Sequence, residues 1–452
     1  WGHYYEGIRA ANFYLKETAG LTFDEWKYSD DYEAIMKEFT NYQYEVRFLR
    51  AYFYFELIKR YRNIPFVLDV LAQNEANGVN PESYEKIAKF IVDECSDLAQ
   101  ILPVNYDNFS TKEKGRVTRA AAMALKSRVT LYMASPLFSE DSEDKWKQAA
   151  EAAYDIIKQK TDLGLDLVPY PQIFNDVNNQ KAEVILYRPT GESGDFEKAN
   201  FPIGVEGGKT STCPTQNLME AYDMKDGTPF VWNNQSNPYD NRDPRMKYTI
   251  VCNEMKWPVD PVEIWEGGTN GLPLQNATTT GYYLKKYVNN TISFEAGSTV
   301  TKKQHNWVLF RYGEILLNYA EAMINAFHDP NYKDAVYNMS AREAVNQIRG
   351  RTNISLPGFP SDITEKDFVK RLKNERRVEL AFEGHRFWDV RRWKELGQTA
   401  NIYGVKITKN NEVISYEKFL LETRAVTDNM YFYPIPNTER FKNPNLGQNP
   451  GW

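Results

Sequence analysis

Hydrophobic residues recur every three or four positions along much of this chain, which is the spacing of helices that bury one face. Ile8 and Leu15 share a face of the first such segment, 1–18. Gly20 ends the pattern, so we predict a helix there. The next segment, 32–62, is hydrophobic all round a helical wheel, as expected of a buried helix.

The remaining helical segments fall into pairs. They are 83–102 with 117–134, 144–160 with 308–327, and 334–351 with 363–396. With the first two segments they make four helix pairs, and stacked pairs bury one another's hydrophobic faces. Ala51, Phe55 and Pro65 are spaced as in a tetratricopeptide repeat. We therefore predict a mainly α fold, a right-handed tetratricopeptide-like superhelix of four helix pairs.

A long segment, 162–307, interrupts the helical pattern. It is rich in Gly, Pro, Asn and Thr, and its hydrophobic stretches are short, as at 184–187 and 248–251. This composition predicts short strands and long loops. Long loops within a compact protein are commonly functional, so we expect the ligand site there.

These patterns divide the chain into three regions of one unit. They are N-terminal helical repeats (1–161), a loop-rich insertion (162–307) and C-terminal repeats (308–452). Beyond Trp393, repeated Asn and Pro predict an ordered coil that lies against the helices rather than another helix.

Two carboxylates near the end of the chain fall on a helix face that should be buried. Glu375 and Glu379 lie four residues apart among large hydrophobic residues. A buried carboxylate is stable only when it is paired and hydrogen-bonded. Arginines are available in the same stretch, and also at Arg349 and Arg351. We predict a buried ionic lattice in a helix that breaks near Gly384.

Glu379 and Glu383 also allow a catalytic interpretation, as the acid and base of a glycoside hydrolase. Arginine-clamped carboxylates have lowered pKa values, whereas a general acid needs a raised one, so the structural interpretation is preferred. A metal site of these two residues and His385 lacks the paired-histidine spacing of zinc helices. Nucleophile-elbow, phosphate-loop and dinucleotide-binding motifs are absent, so we predict no catalytic residue, cofactor or metal.

Composition excludes some classes of protein. The 452 residues are 42% hydrophobic and 26% charged, which is typical of a globular protein. The net charge is −6 and no basic block occurs, which argues against a nucleic-acid partner. The chain contains no run of about 18 hydrophobic residues, so we predict no membrane span. Because the chain begins at Trp1, we expect any signal peptide or lipid-anchor cysteine upstream.

Three tryptophans of the insertion are candidate ligand contacts. Trp232, Trp257 and Trp265 each lie beside polar, Pro or Gly residues. An indole combines a flat apolar face with an N–H donor, which suits a sugar ring. Aromatic residues are also commonly buried, so packing against the helices is the alternative. The sequence pattern leaves both interpretations open.

Several stretches together resemble the SusD/RagB family, the surface glycan-binding lipoproteins of Bacteroidetes polysaccharide-uptake systems. The run 374–393 is similar to the family's C-terminal signature. The other similar stretches are 50–55 with 64–66, 221–227, 241–245, 310–322, and 434–436 with 448–452. Together they span nearly the whole chain.

The resemblance implies a non-catalytic protein that binds oligo- or polysaccharide and delivers it to a SusC-like TonB-dependent transporter. It also implies a location at the outer membrane, lipid-anchored and facing the exterior. The family's sugar sites use exposed aromatic, amide and Arg side chains from insertion loops and from the loop after the second helix. Two alternatives stay open: a glycoside hydrolase acting on polysaccharide, and a helical scaffold that binds protein segments.

On this basis we predict a shallow aromatic platform beside the loop 71–78. That loop lacks an aromatic residue, which departs from the family's starch-binding pattern. The predicted ligand-binding residues, all aromatic or amide side chains, are Trp257, Trp265, Trp232, Tyr239, Asn74 and Asn77.

Overall fold

The computed structural model describes the whole chain except residues 110, 112, 141–142, 234–236, 258 and 295–300. Helices dominate this described part. They are α1 (Gly2–Glu17), α2 (Tyr32–Tyr61), α3 (Gln73–Ala76), α4 (Tyr84–Ile101), α5 (Arg119–Ala134), α6 (Glu143–Lys158), α7 (Asp195–Asn200), α8 (Gln216–Met219), α9 (Met246–Thr249), α10 (Tyr312–Phe327), α11 (Ala341–Arg349), α12 (Glu365–Glu379), α13 (Arg386–Arg392) and α14 (Asn437–Lys442). The strands are β1 (Ile64–Pro65), β2 (Pro81–Glu82), β3 (Val184–Pro189), β4 (Ile250–Val251), β5 (Tyr283–Leu284), β6 (Asn306–Arg311), β7 (Asn401–Asn410) and β8 (Val413–Thr423).

The long helices stack in the predicted pairs. Helix α1 packs against α2, α4 against α5, α6 against α10, and α11 against α12. Further contacts join α2 to α4, α5 to α6 and α10 to α11, so the pairs form one continuous stack. One hydrophobic core runs through it and includes the fully buried Phe48, Leu125 and Leu316. The prediction of a mainly helical fold with four helix pairs is confirmed.

Side-chain caps explain where several helices begin. Ser83 accepts a backbone N–H at the start of α4, and Thr364 does the same for α12. Ser340 and Glu343 form a reciprocal capping box at the start of α11. This box places the start of α11 later than the predicted segment 334–351, because the backbone before Ser340 is not helical.

The predicted helix 308–327 also begins later than expected. Residues Asn306–Arg311 form β6, which pairs antiparallel with β3, and α10 starts only at Tyr312. Val308 and Phe310 suit a buried strand as well as a buried helix. Pairing with β3, which is distant in the chain, decides in favour of the strand.

Residues 401–423 of the C-terminal tail form a β-hairpin, so the prediction of a coil is wrong for this part. Residues 424–452 are mostly irregular apart from α14, and Tyr433 and Asn449 donate hydrogen bonds to carbonyls of α2, as the prediction of an ordered coil against the helices requires. Strands β7 and β8 pair antiparallel, with Asn410 opposite Val413 at the turn. Val405 and Ile407, on β7, are buried in the core of the insertion. Their alternation, together with Asn411 at φ +53° in the turn, is the hairpin signal that the sequence contains.

The insertion has a hydrophobic core of its own, distinct from that of the helical stack. Met219 and Tyr222 are completely buried in it. Arg242 holds their turn by donating to both of their backbone carbonyls, each at 2.7 Å. This confirms that the segment 241–245 is a turn pinned by its Arg and Asp side chains.

Among the described residues, the long helices are not hydrophobic enough to be membrane spans. Helix α2 has 30 residues, but charged residues recur along it. In the part of the chain that the structure describes, no helix is both long and hydrophobic enough to cross a bilayer.

Candidate functional site

The carboxylates of α12 lie in the predicted buried ionic lattice. Glu379 Oε1 accepts hydrogen bonds from Arg311 Nη1 and Arg351 Nη2, each at 2.8 Å. Its Oε2 accepts one from Arg245 Nη1 at 2.9 Å. These four side chains are at most 1% exposed, which confirms the prediction. Glu379 is therefore buried as a fully partnered anion.

The lattice fastens the insertion to the helical stack. Arg245, from the insertion, pairs with both Glu375 and Glu379 on α12. Arg349, at the end of α11, pairs with Glu375 at 2.8 Å and with Asp223 of the insertion at 3.3 Å. These ion pairs therefore connect the insertion directly to α11 and α12.

Glu379 and Glu383 do not suit acid–base catalysis. Burial alone would raise the pKa of Glu379, but the charges of the surrounding arginines outweigh burial and lower it. The pKa of Glu383 is lowered in the same way, since Arg311 and Lys286 outweigh its burial. A general acid needs a raised pKa, so both groups act as structural anions. Among the described residues, no cluster of His, Cys, Asp and Glu forms a metal site either.

Trp257 does not present its ring to solvent. It is 4% exposed and packs edge-on against Phe201, with ring centroids 5.7 Å apart. The backbone N–H of Trp257 donates to the Asp260 carbonyl at 2.8 Å. The prediction of a stacking face here is corrected, because the ring belongs to the core of the insertion.

Trp265 is partly exposed where the insertion meets the C-terminal hairpin. The Lys409 ammonium of β7 lies 4.5 Å from the centroid of its ring. Glu266 and Lys406 form an ion pair of 3.3 Å beside it, and the Glu266 N–H donates to the Ile407 carbonyl. We call the surface of Trp265, Glu266, Lys406 and Lys409 the junction surface.

The remaining aromatic candidates have other neighbours. Trp232 is partly exposed and meets Phe230 edge-on, with centroids 6.4 Å apart. Tyr239 lies between Tyr282 and Tyr416, at 6.2 and 5.3 Å, and its hydroxyl is buried. All four predicted rings pack in or against one core. The four rings therefore share one core but have different neighbours.

The loop 71–78 faces another part of the molecule. Asn74 is exposed and Asn77 is half-buried. Arg9 of α1 and Asn445 of the C-terminal tail donate hydrogen bonds to carbonyls of this loop. A cleft of about 450 Å³ lies among these three elements. The hydrogen bonds from Arg9 and Asn445 join the loop to α1 and the C-terminal tail, and its predicted position beside the aromatic residues stays a prediction.

Sequence reasoning missed the contribution of the hairpin to this region. Phe419 of β8 lines a cleft of about 240 Å³ together with Ile264 of the insertion. Gly281 makes the close approach possible, since a Cβ there would lie 2.5 Å from the Val405 carbonyl oxygen. Because the tail was predicted as coil, its basic and aromatic residues were not considered as site residues.

Two family matches cover most of the chain. Residues 173–452 match the SusD family, and residues 1–131 match a family described as "Starch-binding associating with outer membrane". The first match covers more than half of the chain, so the protein belongs to the SusD family. The resemblance noted from the sequence is confirmed.

Individual relatives agree with this assignment. SusD-like protein P2 of Formosa agariphila is 29% identical over 163 residues, which are 35% of this chain and only 28% of that protein. A SusD-like protein of Bacteroides fragilis NCTC 9343 is 26% identical with a TM-score of 0.79, covering 100% of this chain and 85% of its own. A SusD-like carbohydrate binding protein of the same strain is 26% identical with a TM-score of 0.80, covering 99% and 85%.

Proposed function

We propose that this protein binds oligo- or polysaccharide at the cell surface without cleaving it, and delivers it to a SusC-like TonB-dependent transporter. Membership of the SusD family supports the proposal, as does the match of residues 1–131 to the outer-membrane starch-binding description. A solved relative that shares the fold is a carbohydrate binding protein. The lowered pKa values of Glu379 and Glu383 support a non-catalytic role.

In this proposal the protein is lipid-anchored at the outer membrane and faces the exterior. The family description supports the outer-membrane location. Delivery to the transporter requires the lipid anchor and the outward orientation, because a glycan must be captured outside the cell before it is imported.

The observation that carries the proposed site is the partly exposed ring of Trp265 on the junction surface. A sugar offers CH faces that stack on an indole, and hydroxyl groups that bond to carboxylate and ammonium groups. The junction surface supplies both kinds of contact. We therefore propose the insertion (162–307) together with the hairpin as the ligand-binding region, with Trp232 as a further ring. Asn77, which lines the 450 Å³ cleft, and the exposed Asn74 of the same loop are proposed as separate polar contacts.

Replacement of Trp265 by Ala tests the site. By analogy with other exposed aromatic stacking partners, loss of the ring should cost about 1 to 3 kcal/mol, or roughly tenfold to hundredfold in Kd. Calorimetry with an oligosaccharide selected on a glycan array measures it. Trp26→Ala is the matched control, since Trp26 is 52% exposed but lies between α1 and α2. A folded Trp265→Ala variant that binds as tightly as the parent contradicts the site, and release of shorter sugars contradicts the non-catalytic role.

A further inference from the structure

A cleft of about 810 Å³ lies beside α12, and Asp223 of the lattice and Arg371, 3.6 Å apart, line part of this cleft. Basic residues of one helix face line it. They are Lys366, Lys370, Lys373 and Arg377. Their intervals of four, three and four residues keep them together on α12, and Arg386 of α13 lines the same cleft. One wall of the cleft is therefore strongly basic.

The acidic residues of the cleft do not neutralise this wall completely. Glu395 pairs with Lys373 at 2.6 Å. Glu220 pairs with Lys418 of β8 at 2.8 Å, and Asp223 belongs to the ion pairs of the lattice. Two further carboxylates lie exposed at the start of α12, namely Asp362 and Asp367. None of these pairs involves Arg377 or Arg386.

Arg377 and Arg386 donate to neutral acceptors rather than to carboxylates. Arg377 Nη2 donates to the Asn217 carbonyl at 2.7 Å, and Arg386 Nη2 donates to Gln398 Oε1 at 2.8 Å. Within the described residues neither guanidinium forms an ion pair. Burial lowers the pKa of Arg377 to about 10, and the nearby charge of Arg386 acts in the same direction. Arg377 nevertheless stays cationic at neutral pH.

We propose that this cleft binds the oxyanion of an acidic sugar, a carboxylate or a sulfate ester, between Arg377 and Arg386. The planar guanidinium group donates two parallel hydrogen bonds to such oxyanions. Phe230, partly exposed, lines the same cleft and provides an apolar face for the sugar ring. The inference rests on the proposed glycan-binding function and specifies the class of glycan.

Charge favours an anionic over a neutral ligand here. Two partly buried cations close together repel each other and are poorly hydrated, and an anion between them relieves both costs. Lys366 and Lys370 are exposed at the rim, where they attract the same anion over a longer range. A neutral oligosaccharide gains none of this, whereas its affinity for the junction surface is unaffected.

The test compares sugars that differ only in charge. Calorimetry measures the Kd of each sugar. Tetragalacturonate and its methyl ester test a carboxylate ligand, and sulfated and unsulfated isomaltotetraose test a sulfate ester. The parent should bind at least one charged probe about tenfold more tightly than its neutral counterpart. Arg377→Gln and Arg386→Gln should each abolish that preference. Two substitutions are used because Arg377 also holds the Asn217 carbonyl.

Arg391→Gln is the matched control, because Arg391 lies on the same helix as Arg386 but does not line the cleft. Among the described residues, Arg391 donates only to the Phe387 carbonyl. This variant should retain the preference for charge. Equal binding of charged and neutral probes overturns the inference but leaves the proposed function standing. Binding of hexaglutamate that depends on Arg386, without binding of any sugar, overturns the sugar assignment. Failure to bind any probe overturns the inference as well.

Discussion

At the residue scale, local spacing along the chain predicts the burial of Glu379 but not all of its ion-pair partners. Spacing along α12 predicted that Glu379 is buried and paired, and Arg351 is one of the predicted partners. Arg245 and Arg311, from the insertion and from β6, were not predicted as partners. A helical pattern identifies the buried face, but a partner far away in the chain depends on the tertiary fold.

Glu379→Gln should destabilise the protein while leaving the sugar contacts in place. The substitution keeps the size of the side chain and removes the charge, so three buried arginines lose part of their neutralisation. Breaking one partner of a buried ion pair costs about 3 to 5 kcal/mol. Urea unfolding monitored by circular dichroism measures the loss of unfolding free energy.

A glutamate at the surface provides the comparison for that substitution. Glu151 lies exposed on α6, so Glu151→Gln should change the unfolding free energy by no more than about 0.5 kcal/mol. Equal stability of Glu379→Gln and the parent would show that the lattice does not hold the insertion on the helices.

At the scale of elements, the hairpin of β7 and β8 changes the picture of the ligand-binding region. It packs Val405 and Ile407 into the core of the insertion and brings Lys409 over Trp265. An element predicted as coil thus supplies half of the junction surface. The proposed ligand-binding region therefore includes the hairpin as well as residues 162–307.

Gly281→Ala should loosen the hairpin from the insertion. Gly281 has φ +84°, and a Cβ there would lie 2.5 Å from both Cγ1 and the carbonyl oxygen of Val405. Backbone strain at such a position costs roughly 1 to 3 kcal/mol, and the close contact adds to it. Unfolding by urea should show the destabilisation, and limited proteolysis should cut faster in the turn after β7.

The control for this substitution is a glycine with open space around it. A Cβ added at Gly397 would meet no described atom within 4 Å, and its φ is not positive. Gly397→Ala should therefore leave stability unchanged within about 0.5 kcal/mol. If the two alanine variants are equally stable and equally resistant to protease, the close approach of Gly281 to β7 is not needed.

At the scale of the whole molecule, a rigid helical stack carries an insertion with a separate core. The ion pairs of Arg245 and Arg349 hold the two parts together. Such an arrangement lets one side meet a partner while the other meets a ligand. It suits a protein that passes a glycan from solvent to a transporter.

The protein should therefore co-purify with a SusC-like transporter from the outer membrane. Membranes are solubilised in mild detergent, the tagged protein is captured, and the transporter is identified by mass spectrometry. An unrelated outer-membrane lipoprotein carrying the same tag serves as the control. Recovery of the tagged protein only as a free monomer, with the transporter left in the unbound fraction, contradicts the proposed partnership.

The sequence by itself determined the helical elements, their pairing, the break near Gly384 and the buried face of α12. These features depend on periodicity within short segments, which is visible without knowledge of distant contacts. The family also followed from the sequence, because its signature stretches lie along nearly the whole chain.

Only the tertiary structure decided which aromatic rings reach solvent. Trp257 and Trp265 stand in similar loop sequences, yet one is in a core and the other is on the junction surface. Likewise, the strand state of β6 required β3, a partner far away in the chain. That Arg377 and Arg386 have no carboxylate partner among the described residues also depends on which acidic residues the fold places nearby.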